Sequence, residues 1–251
     1  MSENVLIKSI ILASPIFFMF VGCGNANKPQ VIRSPQEGTI IQVSETVVVD
    51  AGVVFDGAGI LYDWVGEGDC SQTEGMPPMF RLSENATLKN LRMRNAPDGI
   101  HVRGSNVTID NIVNLDVCED AISIKLDRNK RAPRNTTISN SKFFDCADKA
   151  IQITRGDGLL IHNNEFHRCA KAIRVKEQAT NIRFEDNKIY NAKTAVKVTG
   201  GEVFATGNLI DGAKVGYWAE KGGTVTDGGG NRLLGVSENI RETEGGRVII
   251  E

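Results

Sequence analysis

A short strand motif that returns at nearly fixed intervals constrains the fold of this chain most strongly. Each copy is five residues long with an apolar residue at its centre, and the central residues recur every 21 to 29 positions. Repeats of this period are typical of solenoids, in which each repeat forms one coil and stacks on the next. The six copies are Asp98-Gly-Ile-His-Val102, Asp120-Ala-Ile-Ser-Ile124, Lys149-Ala-Ile-Gln-Ile153, Lys171-Ala-Ile-Arg-Val175, Thr194-Ala-Val-Lys-Val198 and Val215-Gly-Tyr-Trp-Ala219.

The segments between the motifs indicate which kind of solenoid forms. They alternate apolar and polar residues and are rich in β-branched residues, as in Val107-Thr-Ile-Asp-Asn-Ile112. This pattern is typical of strands with one buried face, and no stretch has helical periodicity. The sequence therefore predicts an all-β, single-domain, right-handed parallel β-helix of about seven to eight coils. We place this domain at residues 36–240, with a C-terminal tail at 241–251. Recurring asparagines are expected to cap turns and stack on one another, namely Asn90, Asn111, Asn140 and Asn163.

The N-terminal segment resembles an export signal. Lys8 precedes an apolar run from Ile10 to Val21, which is too short for a comfortable membrane span and fits a secretory leader. Gly22-Cys23 after this run resembles a bacterial lipobox, in which the cysteine becomes lipidated, although an ordinary leader with an incidental cysteine is the alternative. We expect a signal at 1–23, a polar tether at 24–35, and a bacterial protein that is secreted or anchored to the outer membrane as a lipoprotein.

Charge and cysteine content limit the partners. The formal net charge is −2 and the pI is near 6.0, so no basic field attracts nucleic acid or an acidic membrane surface. We therefore expect a monomer that contacts a membrane only through a lipid anchor. Cys146 and Cys169 occupy equivalent places in successive repeats, which predicts either a disulfide or two stacked buried thiols.

Stacking brings the first residues of the motifs into one column. Equivalent positions of neighbouring coils lie about 4.8 Å apart, so the column starts with two acids, Asp98 and Asp120. Carboxylates are the hard oxygen ligands that calcium prefers, and Glu119 adds a third if the chain bends at Cys118-Glu119. Asp caps on turns or a solvated acidic edge are the alternatives.

The column continues with two lysines. Lys149 and Lys171 one coil apart would repel by about 3.5 kcal/mol at an effective dielectric constant of about 20. This repulsion predicts a lowered pKa for Lys149, which would make it a general base at alkaline pH. Arg174 stays charged and can grip a carboxylate bidentately. A solvated basic edge is the alternative, and the basic insertion Lys125–Arg134 is either a solvated loop or a contact for an anionic ligand.

Several stretches together resemble the class III pectate lyases, which are the family 3 polysaccharide lyases. The resemblance implies that Asp98, Glu119 and Asp120 hold calcium and that Lys149, Lys171 and Arg174 carry catalysis. It also places Lys125 and Glu74 in substrate binding. The matching stretches run in family order: Phe55-Asp-Gly-Ala-Gly59, Gly68-Asp-Cys-Ser-Gln-Thr-Glu-Gly75, Ala86-Thr-Leu-Lys-Asn90, Asp98-Gly-Ile-His101, Asp116-Val-Cys-Glu-Asp-Ala121, Asp148-Lys-Ala-Ile-Gln152 and Lys171-Ala-Ile-Arg174.

The activity implied by the resemblance is calcium-dependent cleavage of polygalacturonate by β-elimination, which gives unsaturated oligogalacturonates. Family members are often basic, whereas this chain is slightly acidic and carries an insertion after Lys125. Two alternatives remain open. A polygalacturonase-like hydrolase needs a carboxylate pair and usually a Gly-His-Gly loop, in place of which this chain has Asp148-Lys-Ala. A non-catalytic surface solenoid that binds acidic polysaccharide would need the basic column alone.

Overall fold

The structure is a computed structural model that describes residues 10–11, 39–71, 75–127 and 129–251. Within these ranges every regular element is a strand, and no helix is long and apolar enough to cross a membrane. The predicted leader, the predicted lipidation site at Cys23 and the predicted tether lie outside the described ranges, apart from the strand Ile10–Ile11. The chain forms a parallel β-solenoid, as the repeat predicts.

The first sheet contains the repeated motifs and, in the described part of the chain, consists of nine parallel strands. Nine strands mean nine coils, so the prediction of seven to eight was too low, because the outermost coils lack the motif. The strands are Val47–Val49, Pro78–Leu82, Asp98–Val102, Asp120–Ile124, Lys149–Ile153, Lys171–Lys176, Thr194–Thr199, Val215–Glu220 and Glu238–Thr243.

Two further stacks of strands complete each coil. The second stack is Val54–Asp56, Thr87–Arg94, Thr108–Asn114, Thr137–Ser139, Asp157–His162, Thr180–Glu185, Glu202–Thr206, Thr224–Asp227 and Arg247–Ile250. The third is Ile40–Val43, Leu61–Trp64, Lys142–Phe144, Glu165–His167, Lys188–Tyr190, Leu209–Asp211 and Arg232–Leu234, with Ile10–Ile11 antiparallel to its first strand. Thr87–Arg94 and Thr108–Asn114 are long enough to pair in both stacks.

The solenoid extends past the expected boundary at residue 240. Strand Glu238–Thr243 pairs with Val215–Glu220, and Arg247–Ile250 pairs with Thr224–Asp227. The residues assigned to a tail therefore contain strands of the last coil.

The core consists of columns of like side chains inside the coils. Ile122 is the register partner of both Ile100 and Ile151, and all three are 0 to 1% exposed. Burial of one such side chain stabilises the fold by about 1.5 to 3 kcal/mol. Because this apolar column fixes the register, it also fixes the residues two positions before it, which form the candidate site.

Asparagine ladders support the turns. The four asparagines predicted to cap turns all have φ between 52° and 56°, a left-handed conformation that asparagine tolerates. The Asn111 side-chain amide donates to Asn90 Oδ1 over 2.9 Å, so the prediction of stacked caps is confirmed for this pair. A second ladder, which was not predicted, is buried at Asn164, Asn187 and Asn208.

Two disulfides tie the coils together. Cys146 and Cys169 are bonded with their Cα atoms 4.4 Å apart, which decides between the two alternatives left by the sequence. Cys70 and Cys118 form the second bond, with Cα atoms 4.7 Å apart. This bond was not predicted, and it fastens the loop that carries Cys70 to the bend just before Asp120.

Candidate active site

The register of the first sheet assembles the predicted column. Lys149 is the direct partner of Asp120 and of Lys171, and the pairing of Ile100 with Ile122 aligns Asp98 with Asp120. Between Asp98 and Ile100, a Cβ on Gly99 would stand 2.2 Å from the carbonyl oxygen of Ala121. Glycine at this position therefore lets the two acid-bearing strands approach each other.

Asp98 is a buried carboxylate, and only one of its two oxygens is hydrogen-bonded to the described residues. Its side chain is 1% exposed, and Oδ2 lies 2.5 Å from His101 Nε2 and 3.2 Å from Lys125 Nζ. Burial disfavours the charged form, but the His101 hydrogen bond and the charge of Lys125 outweigh it, so the pKa of Asp98 is lowered. Oδ1 is buried and has no hydrogen-bond partner in the described part of the chain.

Asp120 is fully buried and is oriented by two neutral donors. Ser123 Oγ and Gln152 Nε2 donate to its Oδ2 over 2.7 and 2.8 Å. Lys149 Nζ lies 3.0 Å from Oδ1, a close ion pair that lacks hydrogen-bond geometry. Burial dominates over the charge of Lys149, so the pKa of Asp120 is raised.

Asp148 holds the two lysines of the column. Its Oδ2 accepts a short hydrogen bond from Lys149 Nζ, and its Oδ1 accepts one from Lys171 Nζ over 2.6 Å. Burial lowers the pKa of Lys149, but the carboxylates of Asp120 and Asp148 outweigh it and raise that pKa. The prediction of a lowered pKa was therefore wrong, because a carboxylate lies between the two ammonium groups and replaces their repulsion by attraction.

The other predicted site residues lie beside the column rather than in it, or outside the described residues. Arg174 is the register partner of Gln152 on the same sheet, and its Nε is buried without a hydrogen-bond partner among the described residues. Glu119 is buried and lies at the predicted bend directly before Asp120. However, no three His, Cys, Asp or Glu residues of the described ranges are grouped closely enough to hold a metal ion, so Glu119 does not form a ready-made triad with Asp98 and Asp120. Glu74 lies outside the described residues.

Apart from Arg174, sequence reasoning missed a second row of polar side chains beside the column. The row occupies the fourth position of each motif, next to apolar residues that face the core, and it supplies the hydrogen bonds to Asp98 and Asp120. Its polar character at one fixed motif position was the available signal. Further along the row, Lys197 Nζ lies 3.0 Å from Glu220 Oε1 and 3.5 Å from the centre of the Trp218 ring. The row reads His101, Ser123, Gln152, Arg174, Lys197 and Trp218.

The carboxylate oxygens of this site suit a calcium ion whose coordination shell is completed by bound substrate. Calcium takes six to eight oxygen ligands, and Asp98 and Asp120 supply two carboxylates side by side. Oδ1 of Asp98 is buried, and no hydrogen bond from the described residues offsets the loss of its hydration. An anionic substrate and water would complete the coordination, next to lysines that are held by carboxylates.

Comparisons with known proteins agree on one family. The family described as "Pectate lyase" matches residues 31–217. A "Probable pectate lyase F" from Aspergillus fumigatus is 38% identical over 113 residues, which is 43% of this chain and 46% of that protein. Its counterpart from Aspergillus flavus is 37% identical over the same length. The match thus covers less than half the length of these curated relatives.

Solved structures resemble the chain only distantly. Endopolygalacturonase I from Stereum purpureum has a TM-score of 0.40 and 17% identity, covering 82% of this chain and 93% of that one. The A-module of a mannuronan C-5 epimerase from Azotobacter vinelandii has a TM-score of 0.33 and 11% identity, covering 84% and 80%. Similarity at this level carries no argument about function.

Proposed function

Because the chain belongs to the pectate lyase family, we propose that it cleaves polygalacturonate by β-elimination and releases unsaturated oligogalacturonates. The observation that carries the proposal is the placement of Lys149 between Asp120 and Asp148, one coil from Lys171. A hydrolase would need an acid and a base carboxylate on either side of the bond, and here Asp98, Asp120 and Asp148 are each paired with a lysine.

The reaction removes the weakly acidic proton beside the uronate carboxylate, and the electron pair left behind forms a C=C double bond. The neighbouring glycosidic oxygen is expelled and takes up a proton to become a hydroxyl group. Lys149 is our candidate base, and it must lose its own proton before it acts. Because Asp120 and Asp148 raise its pKa, the fraction of neutral Lys149 in the free protein is small at neutral pH. Activity should therefore rise towards alkaline pH, as neutral Lys149 becomes more abundant.

We assign Arg174 and Lys171 to stabilising the negative charge that develops on the substrate during proton removal. The guanidinium group of Arg174 offers a planar pair of donors that matches a carboxylate. No ion pair within the described residues occupies it, which leaves its charge available to the substrate. Lys171 is held by Asp148 over 2.6 Å and is 22% exposed as a side chain, so it can also reach an anion. Lys125 and Glu74 are proposed to contact substrate at the edge of the site.

The proposal includes a calcium ion held by Asp98 and Asp120, with Glu119 as a third ligand. When bound, calcium would neutralise the uronate carboxylate beside the proton that is removed. Hydrogen bonds with His101, Ser123 and Gln152 fix the orientation of the two aspartate side chains before a metal ion binds.

The test is an assay of polygalacturonate digestion that follows the ultraviolet absorbance of unsaturated sugar ends. Chelation of divalent ions should abolish the signal, and added calcium should restore it. Full activity in excess chelator would refute the metal assignment, while new reducing ends without the absorbance would support hydrolysis instead. Binding without either product would support the non-catalytic alternative.

We also propose export from a bacterial cell through the N-terminal segment, with Cys23 as the lipidated residue. The support is the apolar run that ends at Gly22-Cys23. Replacing Cys23 with Ala should move the protein from the membrane fraction to the soluble one. An unchanged distribution would contradict the lipid anchor.

A further inference from the structure

Among the described residues, two arginines near the column lack a carboxylate partner. Arg81 is the register partner of His101, and Arg103 directly follows the strand that begins at Asp98. Burial, together with the positive charge of Arg81, lowers the pKa of Arg103, because both disfavour a second positive charge. Neither arginine takes part in an ion pair within the described ranges. Like charges held together in this way favour the binding of an anion.

The pair lines a groove at the basic insertion. Two adjoining depressions of about 660 and 680 Å³ share Glu84, Arg103, Asp127 and Arg131, and Arg81 lines the second. Two of the acids in the groove already have partners. Glu84 Oε2 accepts the backbone N–H of Ser105 over 2.8 Å, and Asp127 pairs with Arg131 over 2.7 Å. Asp50 also lines the second depression, but neither Asp50 nor Glu84 forms an ion pair with Arg81 or Arg103 in the described part of the chain. Both guanidinium charges are therefore available to an added anion.

The groove adjoins the candidate active site. Arg103 Nη1 donates to the carbonyl oxygen of Leu126 over 2.6 Å, and the preceding residue, Lys125, contacts Asp98. Arg81 also continues the row that leads through His101 to Arg174. Four coil spacings separate Arg81 from Arg174 along this row, which is about 19 Å.

We propose that Arg81 and Arg103 form a remote subsite for a uronate carboxylate of the same polysaccharide chain whose bond is cleaved near Lys149. This inference rests on the proposed function for the identity of the ligand. A guanidinium pair can bind a carboxylate through bidentate, charge-assisted hydrogen bonds. Because of the distance along the row, only a long oligomer reaches both Arg174 and the subsite, whereas a trimer reaches one of them.

The test compares Arg81→Gln with Arg92→Gln as a matched control. Arg92 is exposed on the third stack of strands, where it pairs with Leu61, so its replacement makes the same charge change on another face. In Arg81→Gln the KM for a galacturonate octamer should rise about ten-fold, which corresponds to one lost charge-assisted hydrogen bond. Its kcat should stay unchanged, and the KM for a trimer should not change in either variant. Arg81→Lys, which keeps the charge without the planar fork, should fall in between.

Calorimetric titration of the octamer into the protein separates this proposal from the proposed function, because it needs no turnover. If the wild-type protein cleaves no polyuronate but binds the octamer and Arg81→Gln binds it about ten-fold more weakly, the subsite stands and the lyase proposal falls. If the protein is an active lyase and Arg81→Gln matches Arg92→Gln with the octamer, the subsite is refuted. An equal loss for trimer and octamer would refute it as well, since the arginine would then act on the reacting sugars or through its field alone.

Discussion

Replacing Lys149 with Ala should remove nearly all turnover while leaving a folded protein. A positioned general base contributes about a hundred- to ten-thousand-fold, so a loss of about a thousand-fold in kcat is expected, equivalent to about 4 kcal/mol. The side chain of Lys149 is 5% exposed, and its ammonium group contacts two carboxylates. Removing one partner from a buried ion pair costs about 3 to 5 kcal/mol. We expect the lower end of that range in unfolding free energy, because Asp148 keeps Lys171 and Asp120 keeps Ser123 and Gln152.

The assay measures initial rates of unsaturated-end formation together with oligogalacturonate binding and urea unfolding of the same preparations. In Lys149→Ala, binding should change by only a few-fold, because a base acts in the transition state. Arg174→Lys keeps a charge but loses the two-pronged grip, so kcat should fall and KM should rise together. If Lys149→Ala kept more than a tenth of the wild-type kcat while Arg174→Lys lost nearly all of it, the role of base would belong to Arg174.

Three further expectations concern stability and metal binding. Asn187→Ala should lower the unfolding free energy by about 3 to 5 kcal/mol, because the buried Asn164 N–H and Ile161 carbonyl lose their partner. As a control, Asn111→Ala at an exposed turn should lower it by about 1 kcal/mol. Equal losses for the two variants in urea unfolding would contradict a stabilising role of the buried ladder. The pKa of Lys149 is raised above 10.5, so its charge stabilises the folded state fully below that pH, and this stabilisation is lost as pH rises through the higher folded-state pKa. Lys149→Ala should lack this loss of stability at alkaline pH. Identical curves of unfolding free energy against pH for the wild type and the variant would contradict the ion pairs of Lys149. Asp120→Asn should weaken calcium binding in a calorimetric titration by at least ten-fold, and unchanged affinity would remove Asp120 from the metal site.

Periodicity carried most of what could be predicted from the sequence. The spacing of the motifs fixes the register, and the register places Asp120 beside Lys149 and Lys149 beside Lys171 without any knowledge of side-chain conformation. The pKa of Lys149 could not be predicted in the same way. It depends on where the Asp148 side chain turns, and this residue precedes the strand, where the period no longer determines its direction.

Features outside the period were missed for the same reason. Cys70 lies in a glycine-rich loop, so no repeat position connects it with Cys118. Arg81 lies on a strand without the motif, and its proximity to Arg103 became visible only when the coils were stacked. Residues that belong to the repeat could be placed from the sequence, whereas contacts made by loops and outer coils required the structure.

The central claim is that this column of acids and lysines cleaves polygalacturonate by elimination. Mass spectrometry of the products formed from a galacturonate hexamer tests it most directly, because elimination adds no water whereas hydrolysis adds one molecule of water for each bond cleaved. With calcium present, the two fragments from one cleavage should sum to the mass of the hexamer, and the fragment from the reducing side of the broken bond should carry the double bond at its new non-reducing end. Fragment masses that sum to the hexamer plus one water would contradict the account.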